Sequence, residues 1–427
     1  MDIFIGIILL ITYLGLIYYA ARGGNLMIGF AVMAIIWVGL CIAGGQLTWE
    51  EAQLNIFQGG PESWGPTAVI VIFGSWFGRV LLETGIASKL IKSTTELGGD
   101  DPLITTVLLS IVTGIIFTST FGAGAVVAIG VIILPILMSL GVPKSLAVST
   151  YLMSVGSGMY VNIVLFKQMQ AIFEEFQYDW NYLKFGFSAM AVQLIFIIIM
   201  LVVKLRKNRV HGWAAKTKAS EENEDIPTIA LITPIIPVSL AIFFNWQPIP
   251  AFIVATIFAL AVCGKLPNFS EASRTITRTF YEGVIDIAGL LGFLFILPMF
   301  NKVSGVAAPF FEAILGNILP KNTLLISLVF IIIAPLGLFR GPLTIFGAGS
   351  ATVGVLNAIG MFSQKFLFPL MYVPTITMNL SACPTQSWNL WALNYSKVGV
   401  KDFLKTGVLW AWLISAVNII LAYFMFG

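Results

Sequence analysis

Few residues in this 427-residue chain have the chemistry to bind or react, and most of those that do interrupt apolar runs. Four interruptions stand out. The first, 118–124, reads Thr-Ser-Thr-Phe-Gly-Ala-Gly and offers Ser119, Thr120, Gly122, Ala123 and Gly124. The second, 154–162, offers Ser157, Gly158 and Asn162. The third, 340–350, offers Arg340, Thr344, Gly347, Gly349 and Ser350, and the fourth, 384–389, offers Thr385, Gln386, Ser387 and Asn389. Hydroxyls and carboxamides both donate and accept hydrogen bonds, and glycine lets backbone N–H groups approach a ligand. A helix restarting after such a break presents unsatisfied N–H groups and partial positive charge, which suits an anion. The expected chemistry is recognition of a small polar anion, with no bond made or broken.

Three charged residues bear on this. Arg340 offers a forked donor for a carboxylate; its other reading is a side chain that snorkels to the interface. Asp286, near the inner end of its apolar run, is the candidate to carry a coupling proton or sodium ion. Arg79 has Glu83 one turn later and is read as a structural pair within one helix. The single histidine, His211, lies in a charged loop, and Cys41, Cys263 and Cys383 lack ligand spacing and read as small buried hydrophobes. No metal or other cofactor is expected beyond a coupling ion, H+ or Na+. No nucleophile–base pair or metal cluster marks an enzyme.

The elements that position these residues must lie in lipid. Hydrophobic residues make up 58% of the chain, charged residues 10%, and mean hydropathy is +0.95, too apolar for a surface facing water. A membrane span needs about 20 mostly apolar residues. The first half supplies such runs near 3–21, 26–44, 65–82, 145–167 and 184–204, the second near 228–245, 249–264, 283–300, 366–395 and 403–425. The first run, preceded only by Met1 and Asp2, reads as a true span with no cleavable leader. Two longer stretches, 103–140 and 322–363, are broken by glycine-rich runs and read as re-entrant hairpins, with full double crossings as the alternative. The expected fold is an all-α polytopic membrane protein of about ten transmembrane helices plus two hairpins.

With the N-terminus outside, sixteen lysines and arginines fall inside, among them Lys144, Lys204, Lys397, Lys401 and Lys405, against five outside. That bias predicts a multi-pass protein of the bacterial inner membrane with both termini periplasmic. The charged stretch 204–227 then reads as a cytoplasmic linker between repeats at 1–203 and 228–427.

The two halves echo each other. Phe-Gly-Ala-Gly at 121–124 returns at 346–349. Before it, QLTWEEAQLNIFQGG answers NFSEASRTITRTFYEG, and TGIASKL at 84–90 answers SGVAAPF at 304–310. After it, the polar interruption at 154–162 answers one at 381–389. Five full spans per half place the copies in opposite orientation, the inverted-repeat plan of many secondary transporters.

The stretches TAVIVIFGSWFGRVLLETGIASKLI, TSTFGAGAVVAIGVIILPILMSLGV and PTQSWNLWALNYSKVGVKDFLKTGVL resemble the gluconate and citrate transporter branch of the ion transporter superfamily. The resemblance implies a homodimer, a scaffold part and a transport part carrying both hairpins, elevator-like movement, and coupling to protons or sodium. It also implies a site formed by the tips at 119–124 and 344–350 and the breaks at 157–162 and 385–389. The Ser-Asn-Thr tips of sodium–dicarboxylate members are missing from this sequence.

Together these readings predict ion-coupled symport of a small organic carboxylate, such as a sugar acid or hydroxy acid. A single arginine, Arg340, favours monocarboxylates. A cation/proton antiporter is the alternative within transport, and a membrane-embedded enzyme the alternative outside it. The expected partners are the anion, the bilayer and a second copy of the chain, with no nucleic acid.

Overall fold

Backbone polar groups have no solvent in hydrocarbon, so apolar chain closes them into helices. The computed structural model describes residues 2–22, 24–173, 175–207, 226–315, 320–360 and 362–427, and no strand occurs among them. Most of the expected linker, with His211, lies outside the described residues.

The first half runs α1 (Asp2–Ala21), α2 (Leu26–Ala43), α3 (Trp49–Glu83), α4 (Ile86–Gly98), α5 (Pro102–Phe117), α6 (Ala123–Ser139), α7 (Lys144–Met159), α8 (Ile163–Gln170) and α9 (Trp180–Lys207). The second half repeats that order with α10 (Thr228–Phe244), α11 (Pro248–Val262), α12 (Phe269–Val306), α13 (Ala308–Leu315), α14 (Thr323–Ile333), α15 (Gly349–Ile359), α16 (Gln364–Pro374), α17 (Ser387–Ser396) and α18 (Val400–Phe426). Each half thus holds two simple spans, one very long helix, a short helix, a hairpin, a broken span and a final span. Among the described residues seven helices are long and apolar enough to cross a membrane, one of them α14 continued to Arg340, and the α7–α8 pair, bent by 64°, makes an eighth. This is a multi-pass membrane protein. The expected spans at 228–245 and 249–264 form as α10 and α11 but are shorter than the continuous seven.

Side chains at the loops start many of these helices. Asn25, Asp101, Asn268, Asn322 and Ser363 each accept a hydrogen bond from the first turn that follows, and Thr48 with Glu51 forms a reciprocal capping box at α3.

α3 and α12 are far longer than their apolar windows, 65–82 and 283–300, because the polar segments before those windows continue the helix. At 35 and 38 residues they measure about 52 and 57 Å, against a hydrocarbon core of about 30 Å. The two pack together at mid-length, where Ser75 donates to the Gly283 carbonyl at 2.7 Å and the Trp76 indole to Thr279 Oγ1 at 3.1 Å.

The hairpin halves are short. α5 and α6 have 16 and 17 residues, or about 24–26 Å, and α14 and α15 have 11 each, or about 16 Å. In the second hairpin only the first arm, counted with its 3-10 end as Thr323–Arg340, reaches membrane length; the return arm α15 does not. That 3-10 end, Ala334–Arg340, has non-helical backbone at Leu338 and Phe339.

The broken spans occupy the centre. Every residue of 146–159 and 366–380 is buried, whereas α1 and α14 present Ile11 and Ile332 outwards. The first break is smaller than expected: α7 runs unbroken through Ser154, Ser157 and Gly158 to Met159. The small residues there make a packing surface rather than a loop. A Cβ on Gly158 would lie 2.2 Å from the Gly114 carbonyl oxygen of α5.

A Cβ on Gly283 would lie 2.8 Å from Trp76 Cα, a backbone atom that cannot step aside. Gly283→Val should therefore lower stability by about 1–3 kcal/mol. Gly289→Ala, in the same helix with nothing within 4 Å, should leave stability unchanged or raise it. Thermal unfolding followed by tryptophan fluorescence in detergent measures both; equal melting temperatures for the two variants would contradict the packing.

Candidate functional site

The tip of the first hairpin, 118–122, is held by one amide. Asn162 donates to the Phe117 carbonyl at 2.8 Å and the Thr120 carbonyl at 3.1 Å, while its Oδ1 caps α8 by accepting from Leu165 N at 3.0 Å. All three positions are buried. The real break in the first broken span is therefore 160–162, and Asn162 ties it to the hairpin tip. Ser157 and Gly158 stand beside this break, inside α7. The Ser157 hydroxyl donates to the Ser154 carbonyl at 2.7 Å and is used within its own helix.

Ser119 and Thr120 are buried at the tip, and Gly122 follows with φ +112°, a conformation that side-chain-bearing residues avoid. α6 starts at Ala123 with no side-chain cap. Next to that start lies Asp286 of α12: a Cβ on Gly124 would meet its carboxyl carbon at 2.4 Å. Asp286 is not isolated, since Arg79 reaches it at 3.3 Å through both Nε and Nη2 and also pairs with Glu282 at 3.4 Å. This corrects the expected Arg79–Glu83 pair. Glu83 instead pairs with Arg278, because α3 and α12 run side by side and align their charges across the contact.

The second half builds its break differently. Phe339 and Arg340 both take left-handed backbone, at φ 53° and 59°, a cost of roughly 1–3 kcal/mol each that surrounding contacts must sustain. Those contacts come from the break after α16. The Phe339 N–H donates to Cys383 Sγ at 3.1 Å, and Arg340 Nη2 to the Thr385 carbonyl at 3.2 Å. Arg340 thus points inward to the fourth interruption rather than away from it. Gly347 and Gly349 fold the tip back on itself, a Cβ on each clashing with backbone of Arg340 and Thr344 respectively. Thr344 is buried there, and the Ser350 side chain lies outside the described residues.

α16 passes into a π-helical stretch, Thr375–Leu380, before the break. Asn389 donates back to the Cys383 carbonyl at 2.9 Å, spanning the interruption much as Asn162 does. α17 restarts after Gln386, again with no side-chain cap, and Ser387 is exposed. Among the ring contacts between the halves, one lies at the breaks. Phe121 of the first tip meets Trp388 at 6.4 Å, edge to face, bringing the uncapped starts of α6 and α17 together.

Several buried polar atoms here have no protein partner: Thr120 Oγ1, Thr344 Oγ1, Asn389 Oδ1 and both amide atoms of Asn379. Others lie elsewhere, on Gln168 for example. Leaving such a group unsatisfied costs about 1–3 kcal/mol, and these five atoms lie at or near the helix breaks. Asn379 and Cys383 lie outside the stretches that the sequence marks as the site, whereas Phe121 and Trp388 lie within them. Nothing about a lone cysteine in an apolar run marks it as a partner of a hairpin backbone. Only the equivalence of Asn389 and Asn162 was visible beforehand.

The sequence matches no described family and no curated protein. In three dimensions it is similar to the Alcanivorax borkumensis YdaH transporter, whose crystal structure is described as revealing an unusual topology. The TM-score is 0.68 over 94% of this chain and 98% of that one, at 12% identity. The fold is shared.

Removing the Asn162 amide takes away one helix cap and two buried hydrogen bonds. Asn162→Ala should destabilise the protein by about 2–4 kcal/mol. Asn162→Asp, which keeps the cap acceptor but loses both donors, should fall between it and the parent in thermal unfolding.

Proposed function

We propose that this protein is a secondary active transporter that takes up a small organic carboxylate, a sugar acid or hydroxy acid, by proton- or sodium-coupled symport. The observation that carries the reading is the meeting of two uncapped helix starts at Phe121 and Trp388, with the Arg340 guanidinium anchored next to one of them on Thr385. Helix N-termini and a forked cation are complementary to a carboxylate. The unpartnered hydroxyls and amides of Thr120, Thr344, Asn379 and Asn389 suit the hydroxyl groups of such an acid, or a desolvated ion. That the similar fold belongs to a protein called a transporter agrees with this reading.

The reading includes elevator-like movement. Asn162 binds the first hairpin and the first broken span into one block, which would slide against the α3–α12 pair. Asp286 and Arg79 lie on that boundary and would sense the coupling ion. A homodimer in a bacterial inner membrane, with both termini periplasmic, completes the proposal.

Purified protein in proteoliposomes should accumulate labelled sugar acids or hydroxy acids when a proton or a sodium gradient is imposed, each tested alone. Arg340→Gly relieves the left-handed backbone at that position, so it should unfold at or above the parental temperature. Its apparent KM should nevertheless rise about 10–100-fold, the loss expected for a charge-assisted contact of about 1.5–3 kcal/mol. Uptake with parental KM would remove Arg340 from the site, and absence of uptake for every acid tested would remove the substrate class.

A further inference from the structure

Four lysines that are far apart in sequence converge at one end of the molecule. Lys144 begins α7, Lys204 lies in the last turn of α9, Lys397 ends α17 in left-handed backbone, and Lys405 sits in the second turn of α18. They line a pocket of about 480 Å³. One carboxylate, Asp402, shares it, so four ammonium groups face a single negative charge. None of the four lysines forms an ion pair among the described residues. The starts of α7 and α18, at Pro143 and Gly399, have no side-chain caps and add partial positive charge from the backbone.

Position selects the kind of anion. α9 and α18 are membrane-length spans, so lysines at their ends lie at headgroup depth. Apolar stripes lead from the pocket along both helices. Ile195, Ile199 and Val203 are exposed at four-residue spacing up to Lys204, and Leu409 and Leu413 are exposed at the same spacing beyond Lys405. A ligand with a phosphate head and acyl chains satisfies both features; a soluble anion satisfies only the first.

We infer that this pocket binds the headgroup of an anionic glycerophospholipid, with the acyl chains lying along α9 and α18. The site is separate from the helix breaks and does not depend on what the protein transports. Basic pockets between spans are a recognised mode of anionic-lipid binding, and their occupancy weakens as salt screens the charges.

The test uses the full chain, purified in neutral detergent and titrated with phosphatidylglycerol, with phosphatidylcholine of the same acyl chains, or with inorganic phosphate. Phosphatidylglycerol should raise the melting temperature more than phosphatidylcholine does. The double variant K204Q/K405Q should lose at least half of that extra shift. K321Q/K365Q removes the same charge from exposed positions outside the pocket and should keep it. Equal shifts for the two lipids, or for the two double variants, would overturn the inference. So would an equal shift from inorganic phosphate, which would make the pocket a site for soluble anions.

Discussion

An interrupted helix inside a membrane must find partners for backbone groups that its own turns no longer satisfy, and this requirement organises the centre of the protein. Asn162 and Asn389 answer it in the same way. Each sits at a break in a broken span and spends its amide N–H groups on carbonyls left free by interrupted helices: Phe117 and Thr120 of the hairpin tip for Asn162, and Cys383 of its own break for Asn389. Carbonyls are thereby satisfied while the N–H groups at the starts of α6 and α17 receive no side-chain cap. Many helices that begin at the loops are capped, for example those after Asn25, Asp101 and Asn322. Uncapped starts also occur at the loops, after Pro143 and Gly399, so α6 and α17 are distinguished by their place at the central breaks.

Charge is placed with equal economy. The Arg79, Glu282 and Asp286 cluster lies between the long helices α3 and α12, and it touches the first hairpin at Gly124. One cation faces two carboxylates, so the cluster carries a formal excess of negative charge next to the positive end of α6. That arrangement favours the contact between hairpin and long helices. A proton or a cation reaching the cluster would weaken this attraction, the adjustable attachment that the proposed sliding along α3 and α12 would require.

Much of the architecture was legible because lipid imposes a simple rule on composition. The apolar windows near 3–21, 26–44, 184–204 and 403–425 all lie within continuous helices. The repeated order of features also appears as a repeated order of elements. What escaped was set by contacts between segments distant in sequence. The run Ser154–Gly158 looks like a loop because small polar residues end helices in water. In a buried helix the same residues allow close approach to α5, and the run stays helical. Arg79 has an acidic neighbour one turn away and still pairs across to α12, because only the fold reveals that Asp286 and Glu282 come within reach. Cys383 read as filler, although its sulfur accepts from the Phe339 backbone at 3.1 Å; nothing in its local sequence signals that bond.

The two halves are similar in plan and different in detail, and the differences fall at the centre. The first hairpin turns through Gly122 and leans on Asn162. The second turns through strained Phe339 and Arg340, stabilised by Cys383 and Thr385. A symmetric pair of tips would offer two copies of the same surface and would discriminate poorly between the two ends of a small molecule. Here one tip brings hydroxyls, glycine backbone and a nearby carboxylate, and the other brings a guanidinium. Under the proposed function the carboxylate would bind on the Arg340 side, where the guanidinium sits on the Thr385 carbonyl. The repeated order of elements supplies a common plan, and the divergence of residues at 118–124 and 340–350 gives its two tips different chemistry.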